Sequence, residues 1–488
     1  MKNIKEIDKK YAEYPVKILQ FGEGNFLRGF VDWMIDKSNE NQGMNSQVVI
    51  VQAIENGLSE IINKQNGIYH LIMRGNNNGE QQEIVSQIHS IKKAINPYEC
   101  YEEYEKLILS EELEVVISNT TEAGISYLEG CSIDDLPPKS FPAKVTQLLY
   151  RRYKKFNGDK NKGLLFLPVE LIDNNGYELK KLVLRYASEW GLEKEFISWV
   201  EECNRFTSTL VDRIVTGYPR EESDKLEKEL GYEDKLIVTS ELFNLWVIEG
   251  KSEWKKYFNI TGEGTNVVWT DDVTPYKKRK VRILNGGHTS MVLAAYLSGH
   301  KIVKECMDNP VFYKYLDNLI YKEIIPTIDM DENDLKEFAE SVKYRFNNGF
   351  VKHKLLDISL NSVSKFKARC LPTIVDYYNA KREIPKNLAF SFAALIRFYK
   401  INESGKQFMG IDENNEEYCI KDDNSNLLKF KNAWSNASLD EVVDCIIEDE
   451  EMWGMNLKEL DGFRDHVIKN LKCIENEGVI KAIEKLGD

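Results

Sequence analysis

The chain has 488 residues, 42% of them hydrophobic and 30% charged, enough for two or three domains that each bury a core. A formal net charge of −14 argues against a nucleic-acid or acidic-membrane partner, because a polyphosphate surface would repel it. No apolar run approaches the roughly 18 residues that span a bilayer, and the polar start Met1-Lys-Asn-Ile-Lys-Glu lacks a signal-peptide core, so a cytoplasmic location is expected.

Val16–Phe21 reads as a short buried strand. It runs into Gly22-Glu-Gly24-Asn25-Phe26-Leu-Arg28-Gly29, after which residues 31–35 carry a helical pattern. Strand, glycine turn and helix together aim bare backbone N–H groups at a pyrophosphate, and only glycine lets a ligand approach the main chain so closely. The spacing is Gly-x-Gly-x4-Gly, with Leu27 at the usual third glycine position, so a plain tight turn stays open beside a dinucleotide site. Gln47–Val51 is the second strand. An acidic residue at this strand end usually holds the ribose 2′-hydroxyl of NAD. Here the tip is Gln52, with Glu55 three residues on and no Arg or Lys to receive a 2′-phosphate, which favours NAD over NADP.

Residues 68–73 and 83–89 predict a hairpin around the Gly-Asn-rich turn at 75–79, with His70 and His89 structural. Residues 99–111 predict an amphipathic helix and 113–118 the next strand, which ends in Asn119-Thr-Thr121-Glu122-Ala-Gly124. The strand at 164–167 ends in Pro168-Val-Glu170-Leu-Ile-Asp173. Polar strand ends at the carboxyl edge of a parallel sheet are where nucleotides bind. Asp212 and Arg213 lie inside an apolar stretch and either pair with each other or face a cleft. Glu241, followed by apolar residues, is a candidate carboxylate for the substrate.

Near residues 271–275 the apolar spacing changes to three and four, over 274–299, 311–325, 331–343, 385–400, 439–451 and 457–485. The expected architecture is α/β: a Rossmann-type dinucleotide-binding domain with a mostly parallel sheet over residues 1–272, then a mainly α-helical domain over 273–488. The second domain opens with Lys280-Val-Arg-Ile-Leu-Asn285-Gly-Gly-His288. Drawn as a regular helix at about 100° per residue, Lys280, Leu284 and His288 share a face and Asn285 lies about 60° from His288. Gly286 and Gly287 weaken such a helix by roughly 1 kcal/mol each relative to Ala, so something other than helix stability explains them. The residues alone leave a solvated lysine, a capping asparagine and a core histidine as the competing reading. The eight cysteines and six histidines are scattered, with no Cys-x-x-Cys or His-x-x-x-His pair, so free thiols and no metal site are expected.

Gly22-x-Gly24-Asn25-Phe26-x-Arg28, Thr121-Glu122-Ala-Gly124, Val211-Asp212-Arg213-Ile214 and Lys280-x4-Asn285-x2-His288 together resemble the motifs of the long-chain polyol and uronate dehydrogenases, the family that contains mannitol 2-dehydrogenase. The segment from Asp357 through Ser362, Lys365 and Arg369 to Thr373 resembles that family's segment over the substrate. The likeness covers nearly the whole chain. It implies NAD(H)-dependent oxidoreduction of a small-molecule hexuronate or polyol; the acidic helical surface fits a monomer or a homodimer. Gly22, Gly24, Asn25, Phe26, Arg28, Gln52, Thr121 and Glu122 would then hold the cofactor. Lys280 would be the general acid and base, its pKa brought from about 10.4 toward 7 to 8 in a cleft. Asn285 and His288 would donate to the developing oxyanion, Asp212 would orient the lysine or relay its proton, and Glu170, Glu241, Lys277, Lys365 and Arg369 would face the substrate. Mannitol-type members carry an Asp-Asn pair where Glu170-Leu171 stands, and tend toward acidic residues where Lys277 and Lys278 stand. The extra positive charge suits a substrate carboxylate. A transferase using S-adenosylmethionine or a non-catalytic dinucleotide sensor could share the glycine turn, but neither needs Lys280, Asn285 and His288.

Overall fold

Six short segments pair into one all-parallel sheet in the computed structural model, which describes residues 2–77, 79–121, 123–404, 407–435 and 437–487. In chain order its elements are β1 (Val16–Phe21), α1 (Asn25–Glu40), β2 (Gln47–Val51), β3 (Ile91–Ile95), β4 (Val115–Ser118), β5 (Leu165–Pro168) and β6 (Arg205–Phe206). The strand order is β3-β2-β1-β4-β5-β6. This is the doubly wound order, and its direction reverses between β1 and β4, where a ligand crevice forms beyond the carboxyl ends. β2 and β4 are buried at every position, as strands covered on both faces must be. One face packs Leu19, Phe21, Val49 and Val51 against Tyr104, Phe141 and Leu148. The other packs Ile18, Val48 and Ile50 with Phe30, Met34 and Trp246.

α1 is covered on all sides, so it buries Arg28, Asp32 and Asp36 along with its apolar residues. Beyond it lies a mixed four-stranded sheet in the order Val215–Gly217, Val238–Glu241, Tyr69–Asn77, Glu80–Ile88, which contains the hairpin expected around 75–79. A Cβ on Gly29 would lie 3.0 Å from a methyl of both Val215 and Val238. The third glycine of the first motif therefore seats the helix against this sheet, a packing task that glycine fills in nucleotide folds. A three-stranded sheet of Thr209–Asp212, Leu245–Glu249 and Val267–Thr270 completes this part. The chain forms two compact units, one of residues 1–75 with 82–273 and a second of residues 76–81 with 274–488.

The second unit is organised on the helix Gly286–Leu297, in which every residue except His288 is buried. A helix apolar on all sides must be enclosed by others. Tyr315, on Pro310–Asn318, donates its hydroxyl to the carbonyls of Ser290 (3.3 Å) and Asn387 (3.1 Å). Phe392 of Lys386–Phe398 meets Trp453 and Phe463 at ring distances of 5.0 and 5.3 Å. The periodic stretch at 457–485 is divided, because Gly462 (φ +84) and Gly478 (φ +88) bound the helix Phe463–Glu477. A small antiparallel sheet, Asn402–Ser404, Gln407–Ile411 and Glu417–Cys419, interrupts a half expected to be helical. Strands of three to five residues are too short for alternation to register. Among the described residues, no helix is long and apolar enough to cross a membrane.

Candidate active site

In the first unit the turn after β1 is shaped by what its glycines must avoid. Gly22 has φ +115, and a Cβ there would lie 2.8 Å from the Asn119 carbonyl oxygen, so the passing end of β4 requires glycine. Gly24 caps α1 with no side-chain bond, and no acidic residue occupies the first helical turn. A Cβ on Gly24 would meet no protein atom within 4 Å. The protein's own packing does not demand this glycine. An exposed helix start with bare N–H groups and room beside it fits the diphosphate of a dinucleotide.

The neighbouring side chains serve the turn from behind. Arg28 is 2% exposed. Its Nε donates to the Glu23 carbonyl (3.1 Å), Nη1 to the Leu236 carbonyl (2.6 Å) and Nη2 to Asn25 Oδ1 (2.8 Å). Phe26 stacks on Phe30 at 5.2 Å and packs on the core. Of the cofactor contacts expected from the sequence, Arg28 and Phe26 are thus turned inward: a buried guanidinium must spend its donors on protein acceptors. Gln52 is also consumed. Its Nε2 donates to the carbonyls of Ile54 and Glu55, both at 2.9 Å, and its Oε1 accepts from the Ser59 N–H at 3.3 Å.

At the carboxyl ends of β4 and β5, Glu170 accepts from Ser118 Oγ (3.1 Å) and from the Thr120 N–H and Oγ1 (2.9 Å each). Burial pushes its carboxyl up and these bonds pull it down. The substrate contact expected of Glu170 gives way to a clamp on the loop after β4. In that loop Thr121 has φ +72, rare for a β-branched residue. Glu122, expected at the cofactor, lies outside the described residues. Arg213 donates to the Glu241 carbonyl from Nε (3.1 Å) and Nη2 (2.9 Å) and to the Gly29 carbonyl from Nη1 (2.9 Å), over the Trp33 ring at 4.3 Å. Main-chain carbonyls, not the neighbouring aspartate, take up this cation. Asp212 ends its strand buried, and the equally buried Glu241 accepts from the Ile214 N–H at 2.6 Å.

The second unit departs from the regular helix drawn from the sequence. Lys280–Asn285 is a π-helical segment between Thr274–Arg279 and Gly286–Leu297. Bonding i to i+5 widens the turn and shifts the faces, so Lys280, Leu284 and His288 do not follow the 100° wheel. Such segments are frequent at functional sites, and this one begins on the candidate lysine and ends on the candidate amide. Lys280, Asn285 and Lys277 are half-buried. The glycines after the segment permit close packing: a Cβ on Gly286 would lie 3.3 Å from the Arg369 carbonyl, and one on Gly287 3.5 Å from Leu316.

His288 is held between aromatic rings. Phe346 stacks face to face on it, 3.8 Å between centroids and 7° between planes, and His353 meets it edge-on at 5.3 Å. Its Nε2 is buried with no protein partner. Burial first, then the neighbouring His353 ring and the charges of Arg345 and Arg369, drives its pKa well below the usual 6.5, so the ring is neutral at physiological pH. Arg369 Nη1 donates to Thr289 Oγ1 at 3.3 Å. One helical turn earlier Lys365 donates to the Ile358 carbonyl at 2.8 Å, and burial and then Arg369 lower its pKa. Lys278 and Arg282 lie 3.5 and 3.0 Å from the Asp376 carboxylate, which offsets their charge. Sequence reasoning misses Arg345, Phe346 and His353: they stand at the end of Glu332–Phe346 and in the loop after it, where no motif marks them. Among the described residues no group of three His, Cys, Asp or Glu could hold a metal ion.

Residues 16–262 match the family model for the mannitol dehydrogenase Rossmann domain and residues 272–475 the model for the mannitol dehydrogenase C-terminal domain. Altronate oxidoreductase of Escherichia coli O139:H28 is 42% identical over 492 residues, covering 100% of both chains, as is the Shigella flexneri protein of the same name. Among solved structures, a substrate-free D-sorbitol dehydrogenase superposes with TM-score 0.81 at 22% identity, covering 99% of this chain and 100% of that one. The Pseudomonas fluorescens mannitol 2-dehydrogenase ternary complex with NAD and D-mannitol gives 0.66 at 22% identity, covering 98% and 95%.

Proposed function

The chain belongs to the mannitol dehydrogenase family, and from that premise we propose that it is an NAD(H)-dependent, metal-independent altronate oxidoreductase that reversibly reduces D-tagaturonate to D-altronate in hexuronate breakdown. We place it in the cytoplasm, as a monomer or homodimer. The observation that carries the uronate reading is the 42% identity to altronate oxidoreductases over the full length of both chains, and the guanidinium groups of Arg369 and Arg345, near enough to depress the pKa of His288, suit the same reading. A substrate carboxylate finds charge-assisted partners in guanidinium groups.

When bound at the glycine turn, NADH supplies the hydride for the keto carbon. Lys280 gives the proton that the nascent alkoxide needs and takes it back in the oxidative direction. Asn285 and the neutral His288 donate hydrogen bonds to the oxyanion, one such donor being worth roughly 3 to 4 kcal/mol. The ring stack on His288 fixes the direction of its N–H before substrate arrives, which is what preorganisation requires. We assign Asp212 the relay of the lysine's proton and keep Lys277 and Glu241 as further substrate contacts.

NADH consumption measured side by side with D-tagaturonate, D-fructuronate and D-fructose, with NADPH as the cofactor control, tests the reading. Turnover on D-tagaturonate well above the other two is the expected result. Faster turnover on D-fructuronate or D-fructose would move the substrate within the family. Binding of S-adenosylmethionine and not NADH would remove the oxidoreductase altogether.

A further inference from the structure

The end of β2 lacks the strand-tip acid of NAD-binding folds. Gln52 stands there instead, and both ends of its amide are spent on the loop that follows. A carboxylate nevertheless reaches the same place from across the crevice. Glu23, between the two glycines of the first turn, has Oε1 only 2.0 Å from where a Cβ on Gly57 would sit, and Gln52 Oε1 lies 2.7 Å from that same point. Gly57 is glycine because these two side chains occupy its Cβ position. Glu23 is half-buried, while Glu55, the other acid of the loop, is exposed and has its carbonyl held by Gln52. Burial is the larger influence and leaves the Glu23 carboxyl above its usual range, although the backbone N–H groups of Leu58, Glu23 and Ala53 and the Arg28 guanidinium act against it.

We propose that Glu23 selects NADH over NADPH, its carboxylate standing in for the strand-tip acid by accepting from the ribose 2′-hydroxyl and repelling a 2′-phosphate. The ribose next to a pyrophosphate on α1 comes to the end of β2, which is where Glu23, Gln52 and Gly57 converge. A 2′-phosphate carries up to about two negative charges and would meet a carboxylate with no cation on the loop to receive it. The assignment rests on the dinucleotide reading of the glycine turn.

The test compares kcat/KM and fluorescence-titrated affinity for NADH and NADPH in the full-length wild type, Glu23→Gln, Glu23→Asp and Glu55→Gln. Glu23→Gln keeps the side-chain volume and should lower the NADH-to-NADPH ratio by at least about tenfold, since a site built to hydrogen-bond a hydroxyl loses that discrimination when its acceptor is altered. Glu23→Asp keeps the charge one methylene back, and should retain the preference for NADH with weaker NADH binding. Glu55→Gln should leave the ratio unchanged. A Glu23→Gln ratio within about twofold of wild type, an unaltered NADH affinity in Glu23→Asp, or a collapse of the ratio in Glu55→Gln would each overturn the assignment. A wild type that binds neither cofactor would instead overturn the dinucleotide reading itself, and this assignment with it.

Discussion

The two units put their polar residues to opposite uses. In the sheet unit Arg28, Gln52, Glu170 and Arg213 end on protein carbonyls, hydroxyls and N–H groups, and what they leave for a ligand is shaped backbone. In the helical unit His288 keeps a buried Nε2 without a protein partner, and the charges of Arg345 and Arg369 depress its pKa. The contrast fits the roles proposed for the two halves. A diphosphate is held by N–H groups of a helix start, so side chains serve best by fixing that start, whereas proton transfer and oxyanion binding need side-chain atoms with unspent valence.

The comparison is broken most sharply by removing the chemistry from one half while leaving the other intact. Lys280→Ala should cost several orders of magnitude in turnover while the NADH dissociation constant stays nearly constant, because proton transfer contributes about 10² to 10⁴ and the substrate's placement depends on the same side chain. Steady-state kinetics with a parallel NADH fluorescence titration separate the two. A variant that loses NADH affinity in proportion to turnover would show that the lysine supports the fold of its unit and performs no proton transfer.

The next effect is smaller and distinguishes two glycines of one turn. Gly24→Ala adds a methyl where no protein atom lies within 4 Å, so the melting temperature should hold while NADH affinity falls by about tenfold or more. Gly22→Ala puts a methyl 2.8 Å from a carbonyl at φ +115, and should lower the melting temperature first, by several degrees for a loss of about 1 to 3 kcal/mol. Thermal unfolding of both variants beside a cofactor titration checks the pair. Equal destabilisation in the two would mean that Gly24 serves packing and not a ligand.

How far the chain could be read in advance follows the same division. Four of the six strands of the parallel sheet were legible because buried strands such as Gln47–Val51 are almost wholly apolar, whereas Ile91–Ile95, broken by Lys92 and Lys93, and the two-residue Arg205–Phe206 were not; the glycine turn was legible because its residues are fixed in chain order. Side-chain destinations were not. Glu170 and Gln52 look like ligand contacts in sequence, and only the fold shows the N–H groups that claim them. The pattern that places Lys280 and Asn285 near one another is visible, but a π-helical segment has the composition of an α-helix, so its altered faces carry no signal. Phe346 and His353 escape notice for another reason: their partner lies more than fifty residues earlier, and pairing across that distance is a property of packing alone.

The smallest effect sharpens the comparison from the side of the sheet unit, whose spent charges include acids that are buried for structure. Asp32, on α1, accepts from Gln20 Nε2 at 3.2 Å, and its full burial, offset by that bond and by Arg28, raises its pKa from 3.8 to about 7. Because the folded pKa exceeds the unfolded one, the folded protein holds an extra proton between about pH 4 and 7, and the stability this gives is complete below that window and lost as pH rises through it. Asp36 acts in the same sense, with a pKa of about 7, while His288, whose pKa is depressed by burial, acts in the opposite one. Asp32→Asn keeps the acceptor for Gln20 and removes the proton, leaving the other two groups in place. Its melting temperature should therefore gain on wild type between pH 6 and 7 by roughly 2 to 4 °C, the shift that about 1 kcal/mol produces in a unit of this size. Parallel melting curves across that range would mean that Asp32 is ionised in the folded state, its charge held by Arg28 and Gln20 as the other charges of the sheet unit are held by their protein partners.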